Sequence, residues 1–103
     1  MLLPHRFTVY VPRPELVEGV ARTLAERFGG ATAIPARGYW VDSTGTLVED
    51  PTTLVYSATQ DPVTVEEAEA LARSWAEAWG EEAVAVEVDG MMVLGFAVTA
   101  GAA

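Results

Sequence analysis

The sequence contains no cysteine, no lysine and no asparagine, and only one histidine and one glutamine. Without cysteine there is no disulfide framework, no thiolate-held zinc and no iron–sulfur cluster. Without lysine, six arginines stand against fifteen acidic residues, so the chain lacks the cationic surface from which phosphate binding draws its affinity. Nucleic acid is therefore not an expected partner. No stretch approaches the roughly 18 apolar residues of a membrane-spanning helix. The start, Met1-Leu2-Leu3-Pro4-His5-Arg6, has neither the basic region nor the apolar run of a signal peptide. A cytoplasmic protein that does not engage a membrane is expected.

What is present is 103 residues, half of them apolar, with a net charge of −9. That length fits one domain over residues 1–103, with residues 99–103 expected to fray. The charge is unevenly placed. Residues 1–48 hold five arginines and four acids, for +1, whereas residues 49–103 hold Arg73 and eleven acids, for −10.

Phe7, Val9 and Val11 alternate with Thr8 and Tyr10, the period of a strand with one buried face. Pro12-Arg13-Pro14 ends it. Leu16, Val17, Val20, Ala21, Leu24, Ala25 and Phe28 then recur at helical spacing from Pro14 until Gly29-Gly30, which stops a helix and lacks the spacing of a phosphate loop. Residues 31–41 and 52–60 read as strands around the turn Asp42-Ser43-Thr44-Gly45. The second arm is expected to begin at Leu47-Val48 and to be interrupted or bulged at Asp50-Pro51. Pro35 argues for an edge position or a bulge in the first arm, because an interior strand needs every N–H.

Thr64-Val65-Glu66-Glu67 is a capping box: the threonine accepts from the backbone of Glu67, whose side chain is expected to reach back. The helix that follows carries Val65, Ala68, Leu71, Ala72, Trp75, Ala76 and Trp79 on one stripe, so both tryptophans read as core, and Gly80 ends it. Asp89-Gly90, between two valine- and methionine-rich runs, is the strongest short hairpin signal.

The order of elements implies an α+β fold: a ferredoxin-like βαββαβ antiparallel sheet, both helices on one face, with an extra strand from the C-terminal hairpin. Gly38-Tyr39-Trp40-Val41-Asp42, then Gly45, Glu49 and Val55, a helix, and Ala83-Val84-Ala85-Val86-Glu87-Val88 resemble the layout of small uncharacterised bacterial and phage proteins of split βαβ type. The resemblance implies the fold and supplies no mechanism.

One face of such a sheet is left without helices. The hairpin pairing puts Glu87, Met92, Leu94 and Phe96 there, and a contiguous apolar surface of that kind marks an interface or a groove. Trp40, Met92, Leu94 and Phe96 are the expected interface residues, and a sheet-to-sheet homodimer is the simplest cover. Tyr10, Arg37, Tyr39 and Tyr56 are candidate ligand-binding residues, polar-tipped and carried on strands. Glu87, among valines, and His5, the lone imidazole, are the candidate acid–base groups. For Glu87 the competing expectations are an ion pair with Arg6 or Arg37, or solvation on an edge strand that it protects from aggregation. No clustering of ligand types suggests a metal, and no cofactor is expected.

Three functions are compatible with these features. The leading expectation is a homodimeric, non-enzymatic module that binds a protein partner or a small apolar ligand through the open sheet face. The alternative is a cofactor-free enzyme of the dimeric α+β barrel type that uses Glu87 or His5. The third is an acidic inhibitor that mimics nucleic acid, prompted by Glu66, Glu69, Glu77, Glu81 and Glu82.

Overall fold

The computed structural model describes residues 1–98, so the expected frayed tail lies outside the described residues. Five strands, β1 (His5–Val11), β2 (Thr32–Val41), β3 (Leu47–Thr59), β4 (Ala83–Val88) and β5 (Met91–Phe96), form one antiparallel sheet in the order β2-β3-β1-β4-β5. Two helices, α1 (Val17–Phe28) and α2 (Val65–Trp79), complete an α+β fold. The strand order differs from that of a plain four-stranded ferredoxin-like sheet, because β5 is added outside β4.

Register decides which side chains share a face. Phe7 lies between Ser57 and Val88, and Val9 between Val55 and Val86. All of these are buried, together with Val20 and Leu24 of α1 and Ala68, Ala72 and Ala76 of α2. The helices therefore pack on the Phe7–Val9–Val11 face, α1 over β3 and α2 over β4 and β5. The alanine row lets α2 approach the sheet closely. Trp75 and Trp79 stack on each other at 5.9 Å at the border of this core, partly buried.

The local signals mostly act as their chemistry dictates. Gly29 and Gly80 take the left-handed conformation that ends each helix, and Asp89 and Gly90, with φ of 49° and 85°, make the tight β4–β5 turn. Three expectations need correction. Pro14–Leu16 forms a turn of 3-10 helix before α1, so the α-helix starts later than Pro14. Thr64 accepts from the Glu67 amide at 3.1 Å, but the Glu67 side chain pairs with Arg27 instead of closing the box.

The third correction is larger. β3 is not interrupted at Asp50-Pro51; it runs unbroken for 13 residues, with Pro51 opposite Arg37. Pairing with β1 has already ended at Thr53, so the missing N–H of Pro51 can fall on a side without a partner strand. Pro35 is tolerated for a related reason, since β2 is the edge of the sheet.

Beyond Thr53, β2 and β3 therefore continue as a two-stranded arm. It lengthens the molecule to 50 Å and raises the radius of gyration to 14.3 Å, above the roughly 13 Å of a compact chain this long. The tip is braced by Asp42, whose Oδ1 accepts from the Thr44 hydroxyl at 2.6 Å and from the amides of Thr44 and Thr46. Those bonds, the hydroxyl's foremost, hold the Asp42 carboxyl below its ordinary value.

Candidate functional site

On the face away from the helices, β1 presents Arg6, Thr8 and Tyr10. Their neighbours in register are Ala58, Tyr56 and Leu54 on β3, with Glu87 beside Thr8 on β4. Met92 and Leu94 extend the same face onto β5, opposite Glu87 and Ala85. The sheet thus carries a polar centre within an apolar frame. Leu94 is 48% exposed and Phe96 56%, while Ile34 supplies an exposed apolar residue on the β2 side.

At the centre, the Tyr10 hydroxyl donates to Oε1 of Glu87 in a partly buried hydrogen bond. The phenol is pushed up from 10.0 to about 12, first by that bond, then by burial and by the charge of Glu87. Tyr10 is therefore a fixed donor at neutral pH, and Glu87 is a carboxylate aimed by a phenol. Thr8, only 6% exposed although no helix covers it, sits between Glu87 and Tyr56. The expectations that Glu87 is solvated on an edge strand or paired with Arg6 or Arg37 are both corrected. β4 is an interior strand, Arg37 faces Glu49 at 3.5 Å, and the Arg6 guanidinium lies 4.0 Å over the Tyr56 ring.

Tyr10 also opens onto a hollow of about 420 Å³, where Pro12, Arg13, Gly38, Asp50 and Thr52 close the angle between sheet and arm. That volume lies within the range of small-molecule sites. Asp50 accepts from the Trp40 indole at 2.7 Å, and Arg13 binds Glu81 at 2.6 Å and the Trp79 carbonyl at 3.0 Å. A larger hollow of about 690 Å³ lies at the other end of β3, lined by Leu3, Phe28, Gly30, Thr32, Tyr56 and Ser57. Among the described residues, no carboxylate or cationic side chain lines it.

The candidates divide accordingly. Tyr10, Tyr56, Glu87, Met92, Leu94 and Phe96 share the open face. Arg37 and Tyr39 alternate to the opposite face, on the arm beyond the helices, so they do not join Tyr10. Trp40 projects from the arm, 52% exposed.

His5 lies on the other face from Glu87, three residues from the Thr8–Glu87 pair. Its Nδ1 is 2.8 Å from Oδ2 of Asp89, whose Oδ1 accepts the Arg6 amide at 2.8 Å. This cluster ties the β4–β5 turn to β1. It also holds the Asp89 carboxyl below its ordinary value, the Arg6 amide contributing most. The structure does not bring His5 and Glu87 together.

Asp50 and Gly38 escape a sequence reading, because their grouping with Tyr10 depends on which strands become neighbours. The acids behind the nucleic-acid-mimic reading are largely engaged within the fold. Glu69 pairs with Arg73, Glu81 with Arg13, and Glu77 accepts the Val98 amide. Among the described residues, no group of three or more His, Asp or Glu side chains is placed to hold a metal, and no helix is long and apolar enough to cross a membrane.

Alkaline titration tests the central pair. The folded chain holds the Tyr10 proton more tightly than the unfolded chain does. Its contribution to stability is whole below pH 10.0 and is lost as the pH rises through about 12. Tyrosinate absorbance should show one of the three tyrosines ionising last, and Glu87→Gln should move that step to lower pH. An unmoved step would exclude Glu87 as its cause.

An antiparallel sheet with a phenol–carboxylate pair on its uncovered face defines a small α+β protein with an open surface site. Two solved structures share this architecture. A phage SAM lyase in complex with S-methyl-5'-thioadenosine aligns with a TM-score of 0.63 at 16% identity, over 90% of this chain and 89% of that one. Phage SAM lyase in the apo state aligns with a TM-score of 0.59 at 16% identity, over 92% and 90%. No family model matches the chain, and no curated protein is similar to it in sequence. The likeness is one of fold. It corrects the expectation of a non-enzymatic module, because the two solved structures that share the fold are of an enzyme.

Proposed function

We propose that this protein is a cofactor-free enzyme that cleaves a sulfonium nucleoside of the S-adenosylmethionine type, releasing S-methyl-5'-thioadenosine. The observation that carries the reading is the Tyr10–Glu87 pair on the uncovered face of a fold held in common with phage SAM lyases. A sulfonium is a fixed cation without N–H groups, so it is recognised by a nearby anion and an apolar wall. Glu87 supplies the first; Met92 and Leu94 belong to the second.

The reaction destroys charge. As the bond from sulfur to the γ-carbon breaks, the bonding pair passes to sulfur and a neutral thioether leaves. The four-carbon amino-acid fragment closes its open valence with electrons from its own carboxylate or from a β C–H bond. A site that excludes water favours this step, because the dispersing charge loses little solvation. The hollow beside Tyr10, with Asp50 and Thr52 as hydrogen-bonding groups, is the proposed seat of the nucleoside.

We further propose that the first four strands follow the split βαβ path, and that a second copy covers Met92, Leu94 and Phe96 as in dimeric α+β barrels. Such a cover would close the face against water, and a cytoplasmic location suits this substrate.

The test is direct. Purified protein incubated with S-adenosylmethionine should yield S-methyl-5'-thioadenosine stoichiometrically, with no requirement for metal or added cofactor. Proton NMR of the other product assigns Glu87: vinyl signals would make it the base, and a ring product would make it the counter-ion of the sulfonium. Unchanged substrate after prolonged incubation would remove the reading. Sedimentation of the same preparation as a monomer at high micromolar concentration would remove the dimer.

A further inference from the structure

We propose that Arg6 binds the α-carboxylate of the substrate's amino-acid portion, and so makes the site specific for nucleosides that still carry that portion. This rests on the functional reading above and extends it to the end of the substrate remote from the nucleoside.

Three observations carry it. First, the chain is strongly acidic, and four of its six arginines, Arg13, Arg27, Arg37 and Arg73, have a carboxylate within ion-pair distance. Arg6 has none among the described residues, and neither does Arg22, which lies on an exposed face of α1. An unpaired guanidinium on a sheet face in a chain of charge −9 is free to receive an external anion.

Second, Arg6 is held in place. Its amide donates to the Asp89 carboxylate and its carbonyl accepts from the Asp89 amide at 3.0 Å, so two bonds tie its backbone to Asp89. Its guanidinium rests 4.0 Å above the Tyr56 ring, which removes much of the freedom such a side chain would otherwise lose on binding. The planar fork of a guanidinium suits a carboxylate, which accepts two parallel hydrogen bonds from it.

Third, the spacing fits. Arg6 is two residues from Thr8, the register partner of Glu87. The backbone positions that carry cation and anion therefore stand on one face about one pleat repeat apart, roughly 7 Å along the strand. In S-adenosylmethionine, three carbons separate the carboxylate group from the sulfonium. A substrate laid along β1 with its sulfur at Glu87 brings its carboxylate toward Arg6 and its nucleoside toward the hollow beyond Tyr10. Charges of opposite sign then meet at both ends, and reversing the substrate would place like charges together.

The experiment compares two unreactive ligands, S-adenosylhomocysteine, which keeps the carboxylate, and S-methyl-5'-thioadenosine, which lacks the amino-acid portion. Calorimetric titration of the full chain and of Arg6→Met is expected to show a 10- to 100-fold loss of affinity for S-adenosylhomocysteine, the usual worth of a hydrogen-bonded charged contact. Affinity for S-methyl-5'-thioadenosine should stay within about twofold, since no lost contact touches it, and Arg6→Lys should recover part of the loss.

An equal response of the two ligands, whether both hold or both fall, overturns the carboxylate assignment while leaving the lyase reading standing. Failure of the unaltered protein to bind either ligand overturns the lyase reading itself, and this inference with it.

Discussion

Replacing Gly95 by valine is expected to abolish cooperative folding, and Gly95→Ala to cost about 3 kcal/mol. A Cβ at this position would stand 2.4 Å from the Arg73 amide nitrogen and 2.5 Å from the Ala72 Cβ, closer than real Cβ atoms come to anything. The obstruction is largely backbone, so no rotamer change relieves it. Helix α2 would have to lift from β4 and β5, along which Ala68, Ala72 and Ala76 are fully buried. Overpacking typically costs 1–3 kcal/mol and occasionally more, against a total stability of about 5–15 kcal/mol for a domain. In a thermal melt, Gly95→Ala should lower Tm by about 15 °C. Gly30→Ala, where the added methyl meets nothing within 4 Å, should change stability by less than about 0.5 kcal/mol. Wild-type stability in Gly95→Ala would show that the helix does not rest on β5 as described.

The second large effect is on the proposed sulfonium cleavage. Glu87→Gln keeps shape and removes charge, and should lower kcat/KM for sulfonium cleavage by about 100-fold or more. Tyr10→Phe, which removes only the bond that aims the carboxylate, should lower it about 10-fold. The division between constants is informative. A counter-ion attracts the sulfonium most before the bond breaks, so losing it raises KM; a base acts only in the transition state, so losing it lowers kcat. Neither variant should unfold the chain, because the face they occupy is outside the helix-covered core. Full activity in Glu87→Gln would remove Glu87 from the mechanism and return attention to Asp50 beside the hollow.

Both positions illustrate what the sequence makes legible. Gly95 reads as an ordinary glycine in an apolar run, and nothing nearby announces that Ala72 and Arg73 of an earlier helix will rest on it. Glu87 stands out as a carboxylate among valines, which is a local signal. Its partner does not stand out, because Tyr10 lies 77 residues away and meets it only once β1 and β4 become neighbours. Arg37 and Tyr39 show the opposite error. Their residue types suit a site, but the unbroken pairing of β2 with β3 through Pro35 and Pro51 alternates them to the other face. Two prolines in one hairpin suggest a bulge; a continuous register is accommodated because one strand is an edge and the other outruns its inner neighbour.

By itself, the sequence determined the order of the elements and most of their ends, but not the 3-10 turn before α1 or the unbroken run of β3. Alternation, helical spacing, the Thr64 cap and the glycines at positions 29, 80 and 90 act within a few residues, where hydrogen bonds and sterics need no distant partner. It also determined the opening absences: no thiolate chemistry, and no lysine to hold a phosphate backbone. Only the tertiary structure decided that β4 is interior, that Tyr10 aims Glu87, that His5 is tied to the Asp89 turn, and that Arg6 has no acid beside it among the described residues. Each depends on strand order and register, and these are set by the summed burial of both helices against the sheet, which no single segment encodes.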